Sequence, residues 1–93
     1  MELKNRVIAA LRLSTTDEGI LSEVDTLIAA AVNDLRSTGI TNEADPLFEL
    51  AVITYAKANF GFDNPEAERL NMSYEFMKQK MMSTREYIDA RTT

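Results

Sequence analysis

The chain has 93 residues, of which 45% are hydrophobic and 27% charged, with a formal net charge of −5. This length suits one domain with one core, and the composition is that of a globular protein rather than a disordered chain. Cysteine, histidine and tryptophan are absent, which excludes a disulfide framework, thiolate chemistry and the usual near-neutral general base.

Apolar runs are short throughout the chain. The longest, residues 27–32, falls well below the about 20 residues needed to span a bilayer. The first residues carry charges and lack an apolar core followed by a small-residue cleavage site, so they do not resemble a secretory signal. We therefore expect no membrane segment, and a protein that works in the cell that makes it or in a particle assembled there.

The first half of the chain is acidic. Residues 13–34 carry no base, and their acids are Asp17, Glu18, Glu23, Asp25 and Asp34. Affinity for duplex DNA depends on Lys and Arg that neutralise phosphates, so this half argues against tight DNA binding. A simpler interpretation is a solvated helix face that keeps the protein soluble.

Helical spacing of apolar residues predicts the first two helices. The first covers about residues 2–13. The second covers about residues 17–37 and ends before Gly39; a Ser or Thr hydroxyl of residues 14–16 is expected to cap its start, with acids at its positive end. Its core stripe is predicted to be Ile20, Val24, Leu27, Ile28, Ala31 and Leu35. Ala29 and Ala30 lie off this stripe, where small side chains permit close approach of another helix or reflect helix propensity alone.

The third helix is predicted over residues 46–60 and is apolar on nearly every side. Asp45 is its N-cap, Pro46 takes the first position and Gly61 ends it. A helix with this pattern must be buried all round, and a chain of this size supplies few neighbours. We therefore expect part of its surface to pack under the first, second and fourth helices and the rest to contact partner subunits.

Asn64 and Pro65 repeat the cap-then-proline signal before a fourth helix. Leu70, Tyr74, Met77 and Met81 form its stripe, which we expect to continue to residue 83 or beyond. The sequence thus predicts an all-α fold: a compact four-helix domain over residues 1–88, with short loops and a mobile C-terminal tail at residues 89–93.

No group of residues in the sequence predicts a catalytic or metal-binding site. Glu66 and Glu68 are two apart and splay to different sides of a helix, and the acids near Asn42 lack the spacing of a calcium loop. No serine has a histidine to activate it. We expect no enzyme, no catalytic residue, no metal and no cofactor.

Three surface features remain. The basic group Lys78, Lys80 and Arg85 suits phosphate or an acidic partner, or is a solvated face paired with neighbouring acids. Met82 lies off the core stripe, where a flexible thioether suits an adaptable interface. Phe62 either packs between the third and fourth helices or inserts into a neighbouring subunit.

A helix-turn-helix protein that reads DNA sequence is another interpretation of the short helices. Its recognition helix would be the third helix, which has a single Lys where base readout needs several polar side chains.

Residues 53–68, ITYAKANFGFDNPEAE, resemble the core signature of small head–tail connector proteins of tailed bacteriophages, also known as phage DNA-packaging proteins. The layout of the N-terminal half agrees: a short helix, a polar break with acids, a long helix and then Asp45-Pro46. The resemblance covers residues 3–87 and is most specific at 55–68.

This resemblance implies a non-enzymatic adaptor located in the virion, at the head–tail interface, after synthesis in the bacterial host cytoplasm. Such proteins form a ring under the portal vertex, extend the DNA channel without sequence-specific binding, and dock a stopper or tail-completion protein. They can be monomers before assembly, and their C-terminal segment often grips the portal protein. The corresponding portal-contact candidates here are Lys78, Lys80, Met82, Arg85 and Tyr87.

A ring subunit needs two different contact faces. The subunit-interface candidates are Ala29, Ala30, Phe48, Val52 and Phe62. An acidic lumen repels DNA, so the second helix is expected to border the channel, with Glu18, Glu23 and Asp25 lining it. The alternative function is a small helical nucleic-acid-binding regulatory protein, which salt-sensitive duplex binding would favour.

Overall fold

In a computed structural model the described residues fold into four α-helices. The structure describes the backbone of residues 2–14, 16–61 and 64–92 and the side chains of residues 3–14, 16–61 and 64–83. In chain order the helices are α1 (Glu2–Ala10), α2 (Glu18–Ser37), α3 (Pro46–Asn59) and α4 (Ala67–Thr92). The described backbone contains no strand, and the predicted all-α, four-helix fold is confirmed. The expected mobile tail at residues 89–93 lies outside the described side chains and stays a prediction, as does the boundary at residue 88.

The first helix ends earlier than predicted. Arg12 has a φ of 59°, the left-handed conformation usually taken by glycine at this point. The amide of Leu13 donates to the carbonyl of Ile8 and that of Arg12 to Ala9, which closes α1. The apolar pattern continued through Leu11 and Leu13, and both still pack against the core, so the pattern did not reveal where the helix stops.

The cap of α3 is the predicted Asp45, whereas α2 is capped by the carboxylate of Asp17 and not by the expected Ser or Thr hydroxyl. Asp17 accepts hydrogen bonds from the amides of Gly19 (2.8 Å) and Ile20 (3.1 Å), and Asp45 accepts one from the amide of Leu47 (2.8 Å). Both carboxylates satisfy donors that a helix N-terminus leaves free. At the other end of α2, Gly39 takes a φ of 92°.

The third helix lies at the centre of the fold. It packs extensively against α4, α2 and α1, and α1 also packs on α2. Its buried residues are Phe48, Ala51, Val52, Thr54, Ala56 and Ala58. The expected packing of α3 under the other three helices is therefore confirmed and covers most of its surface, while the expected contact of the rest with partner subunits stays a prediction. Only a narrow outward strip of α3 stays accessible.

The core joins all four helices. Val7 of α1, the buried stripe of α2 and the stripe of α4 meet around α3 in one cluster. Thr54 is its single buried polar residue among those described, and its hydroxyl donates to the carbonyl of Leu50 at 2.8 Å. Fully burying an aliphatic or aromatic side chain contributes about 1.5–3 kcal/mol, so this cluster dominates the stability of the fold.

Asn64 joins the end of α3 to the start of α4, but not as the predicted N-cap. The helix begins later, at Ala67, because residues 64–67 first form a turn in which the amide of Ala67 donates to the carbonyl of Asn64. The side-chain Oδ1 of Asn64 accepts from the amide of Glu66 (3.0 Å), and its Nδ2 donates to the carbonyl of Lys57 (2.7 Å).

Replacing Asn64 by Ala removes both hydrogen bonds and should lower the free energy of unfolding by about 1–2 kcal/mol. Urea denaturation followed by circular dichroism measures this change. Asn64→Asp is the matched control: it keeps the acceptor, loses only the donor to Lys57, and should cost less. If the chain forms the ring that the resemblance implies, Asn64→Ala should still join it; a variant that folds fully but cannot assemble would show that this loop is an interface.

Candidate interaction surfaces

The three candidate channel acids lie on two sides of α2. Asp25 binds the Lys4 ammonium of α1 at 3.0 Å, whereas Glu23 accepts a hydrogen bond from the amide of Gly61, beyond the end of α3, at 3.1 Å. Val24 between them is fully buried. Glu18 and Asp25 are seven residues apart, about two turns, and therefore share a side of the helix. The structure thus brings Glu18 and Asp25 to one side and separates Glu23 from them.

The outward face of α2 is formed by small, uncharged side chains. Its exposed residues include Gly19, Ser22, Thr26, Ala29, Ala30 and Asn33. Both alanines predicted as interface residues therefore lie on the surface, where close approach by another helix is sterically possible.

The interface candidates on α3 are not on the surface. Phe48 and Val52 are buried in the core of their own chain, so they present nothing to a neighbouring subunit in this structure. In an amphipathic helix the polar side chains indicate which side faces solvent. This helix is apolar on nearly every side, so its sequence pattern could not distinguish buried residues such as Phe48 and Val52 from exposed ones. Phe62, the remaining candidate, lies outside the described residues.

The accessible strip of α3, named here the α3 stripe, consists of Leu50, Ile53 and Lys57. Leu50 is 51% exposed, Ile53 is half-buried and Lys57 is exposed. The spacings of three and four residues place them along one side of the helix. None of the three is among the interface residues predicted from the sequence.

A second exposed apolar surface lies on the outer side of α4. Met72 is 67% exposed and Phe76 is 71% exposed, and both line a shallow open depression with Glu68, Asn71, Glu75 and Gln79. We call Glu68, Met72 and Phe76 the α4 face. Phe76 was missed, although its spacing of four from Met72, off the stripe of Leu70 and Tyr74, was a usable signal.

A polar cluster ties α2 to α4. The Tyr74 hydroxyl donates to Oδ2 of Asp34 at 2.6 Å, and the Lys78 ammonium donates to the same oxygen at 3.0 Å. Lys78 also binds Glu75 at 3.1 Å and lies 5.4 Å from the centre of the Tyr74 ring. Tyr55 of α3 meets that ring edge-on, with centroids 5.1 Å apart. Two charges and one hydroxyl thus hold these helices in register.

The cluster shifts the pKa values of its members. The hydrogen bond from Tyr74, helped by Lys78, outweighs partial burial and lowers the pKa of Asp34. Burial, together with the Asp34 carboxylate, raises the pKa of Tyr74 strongly. Burial opposes the charge of Lys78, but its hydrogen bonds to Asp34 and Glu75 prevail and raise its pKa. At neutral pH the cluster therefore contains a carboxylate, an ammonium and a neutral phenol.

The portal-contact candidates are not gathered on one surface. The Lys78 side chain is only 13% exposed and is engaged within its own chain. Lys80 is exposed but lies two residues along α4, so it projects from another side. Met82 is partly buried against the core. The side chains of Arg85 and Tyr87 lie outside those described.

Across residues 3–14, 16–61 and 64–83, no group of three or more acidic side chains is arranged to hold a metal ion. No helix in the described part of the chain combines the length and apolarity of a membrane span.

These features define a small all-helical protein with several different outward faces available for contact. Such faces are typical of a structural protein. A family model described as Phage connector protein matches residues 5–88, and the chain belongs to this family. The family is structural, and membership gives the chain a connector role. The resemblance carried by residues 53–68 is confirmed. No curated protein and no solved structure matches the chain significantly.

Replacing Tyr74 by Phe removes the hydrogen bond to Asp34 and should lower the free energy of unfolding by about 1 kcal/mol at pH 7. Because the pKa of Asp34 is lowered from its ordinary value of 3.8 in the folded chain, the carboxylate contributes stability above that value. This contribution is lost as pH falls through the folded-state pKa.

The difference between wild type and Tyr74→Phe should therefore shrink at pH values below 3.8. Urea denaturation at a series of pH values measures it. Tyr55→Phe is the matched control, since no hydrogen bond of its hydroxyl is formed within the described residues, and should change little. An equal loss for both variants, or a loss independent of pH, would contradict this role of the cluster.

Proposed function

We propose that this chain is the subunit of a head–tail connector that assembles as a ring under the portal vertex of a phage head. The ring extends the DNA channel and docks a stopper or tail-completion protein. The observation that carries this proposal is the family match over residues 5–88. It is supported by a core that is filled within one chain and by outward faces that differ from one another, as a ring subunit requires.

The channel side is assigned to the side of α2 that carries Glu18 and Asp25. A passage for DNA must not hold phosphates, and carboxylates repel them; Glu18 supplies most of this repulsion, because Lys4 offsets the charge of Asp25. The net charge of −5 favours the same function. Glu23, predicted with these two, is directed instead to the end of α3 by its hydrogen bond to Gly61.

Portal contact is assigned to the C-terminal part of α4, with Lys80, Met82, Arg85 and Tyr87 as candidates. Lys78 is better placed to hold α4 against α2, because Asp34 and Glu75 already bind its ammonium. The portal would then be gripped by the end of α4 from Lys80 onward, where Met81 and Met82 are the last described residues that pack on the core.

The proposed location is the virion, after synthesis in the host cytoplasm. The proposed mode of action is contact between proteins: portal on one side, stopper or tail-completion protein on the other, and copies of the same chain around the ring. It requires no catalytic residue, no cofactor and no sequence-specific contact with DNA.

Electron microscopy of the chain mixed with the portal protein of its own phage tests the proposal. The expected result is a ring stacked coaxially on the portal, with Glu18 and Asp25 towards its lumen. Rings whose acids face the exterior would contradict the channel assignment alone.

Persistent monomers without portal binding would contradict the connector ring itself. A gel-shift assay on the same protein at low salt should show no duplex binding. Salt-sensitive binding would favour the nucleic-acid-binding regulator instead.

A further inference from the structure

Two outward surfaces of this chain are apolar, one with a lysine and the other with a glutamate; a second acid beside the α4 face, Glu75, is bound by Lys78. The α3 stripe combines Leu50 and Ile53 with Lys57, and the α4 face combines Met72 and Phe76 with Glu68. These surfaces contain the exposed large hydrophobic residues of the described chain, Leu50, Met72 and Phe76. Exposed apolar patches of this kind mark interaction sites more often than isolated apolar residues do.

The two charges are unusual in this chain. Most charged side chains in the described residues are held by an ion pair, a cap or another hydrogen bond, such as Lys4 with Asp25 and Arg6 with Glu49. Those for which the described residues supply no such contact are Arg12, Glu18, Lys57 and Glu68. The lysine and one of these glutamates lie on the two apolar surfaces, and neither has an ion-pair partner among the residues that the structure describes.

The order of residues on the two surfaces also matches. From Lys57, Ile53 and Leu50 follow at about 6 and 10.5 Å along the helix axis, at 1.5 Å per residue. From Glu68, Met72 and Phe76 follow at about 6 and 12 Å. When the two helices run in opposite directions, lysine faces glutamate and the apolar residues meet in pairs.

One subunit cannot make this contact with itself. The third and fourth helices pack against each other within the chain through their buried sides, among them Val52, Tyr74 and Met77. The α3 stripe and the α4 face are therefore turned away from that packing, and each needs another molecule.

We propose that the α3 stripe of one subunit docks against the α4 face of a second copy of the same chain. This inference rests on the proposed function and specifies its subunit contact. Because the two surfaces differ, the contact is head-to-tail, and repetition of a head-to-tail contact closes a ring when the rotation permits. In this contact the α3 stripe takes the place of Phe48 and Val52, the α3 residues predicted from the sequence, because both are buried in the core.

The contact is small. A stable interface buries about 800 Å² on each partner, more than one helical stripe supplies. A pair of free subunits is therefore expected to associate weakly. In a closed ring every subunit makes the contact twice, and the second contact forms at a high effective concentration.

Disulfide trapping tests the proposal, because the natural chain has no cysteine. Leu50→Cys and Phe76→Cys are prepared as separate proteins, mixed at millimolar concentration and oxidised. The expected result is a crosslinked dimer in the mixture and little in either protein alone. Ala30→Cys mixed with Phe76→Cys is the control and should not crosslink.

Equal or preferential crosslinking of the Ala30 variant would overturn the proposal, because it would place the small-residue face of α2 against α4. Absence of any crosslink in the mixture would also overturn it.

The same assay tests the charges. Adding Lys57→Glu to the Leu50→Cys protein should slow crosslinking about ten-fold, and adding Glu68→Lys to its partner should restore the rate. Arg12→Glu is the matched charge control and should leave the rate unchanged. A slow rate that the second reversal does not restore would contradict the pairing of Lys57 with Glu68.

Failure of this contact and failure of the proposed function give different results. Rings on the portal without the Leu50–Phe76 crosslink would leave the connector function standing and remove this interface. Crosslinking without rings on the portal would leave the interface standing and remove the function.

Discussion

Burial of α3 by the other three helices is the constraint on which the rest of the structure depends. This helix packs against all of them, whereas α2 and α4 do not pack extensively on each other and are joined by the Asp34–Tyr74–Lys78 cluster. The packing around α3 therefore decides which sides of α2 and α4 face outward. The acidic side of α2, the α3 stripe and the α4 face are consequences of that choice.

Local chemistry predicted most of the helix boundaries. Asp17 and Asp45 cap α2 and α3, since a carboxylate at that position satisfies free amides whatever the tertiary packing. Two boundaries needed the structure. A left-handed Arg12 stops α1 where glycine is the usual signal, and a turn at Asn64 delays α4 although the cap-then-proline pattern is intact.

The surfaces were less predictable than the fold. An all-apolar helix has no polar side to identify its exposed strip, so Phe48 and Val52 could not be told from Leu50 without the neighbours. The acids of α2 were predicted as one group, but whether Glu23 and Asp25 lie on the same side of the helix depends on their partners. Gly61 binds Glu23, and Lys4 binds Asp25 on the other side. Phe76 could have been found from its spacing to Met72. The connector role came from residues 53–68 as a family signature, since the physical pattern of that segment specifies only a helix end and a restart.

One chain completes its own core, and the proposed contact with other copies is confined to exposed stripes. Urea denaturation over a wide range of protein concentrations tests it most directly, because stability that depends on association depends on concentration. The account predicts one cooperative transition whose midpoint does not change between about 1 and 50 μM, in the range where weakly associating subunits are monomeric. A midpoint that rises with concentration, or a chain that unfolds on dilution, would contradict it.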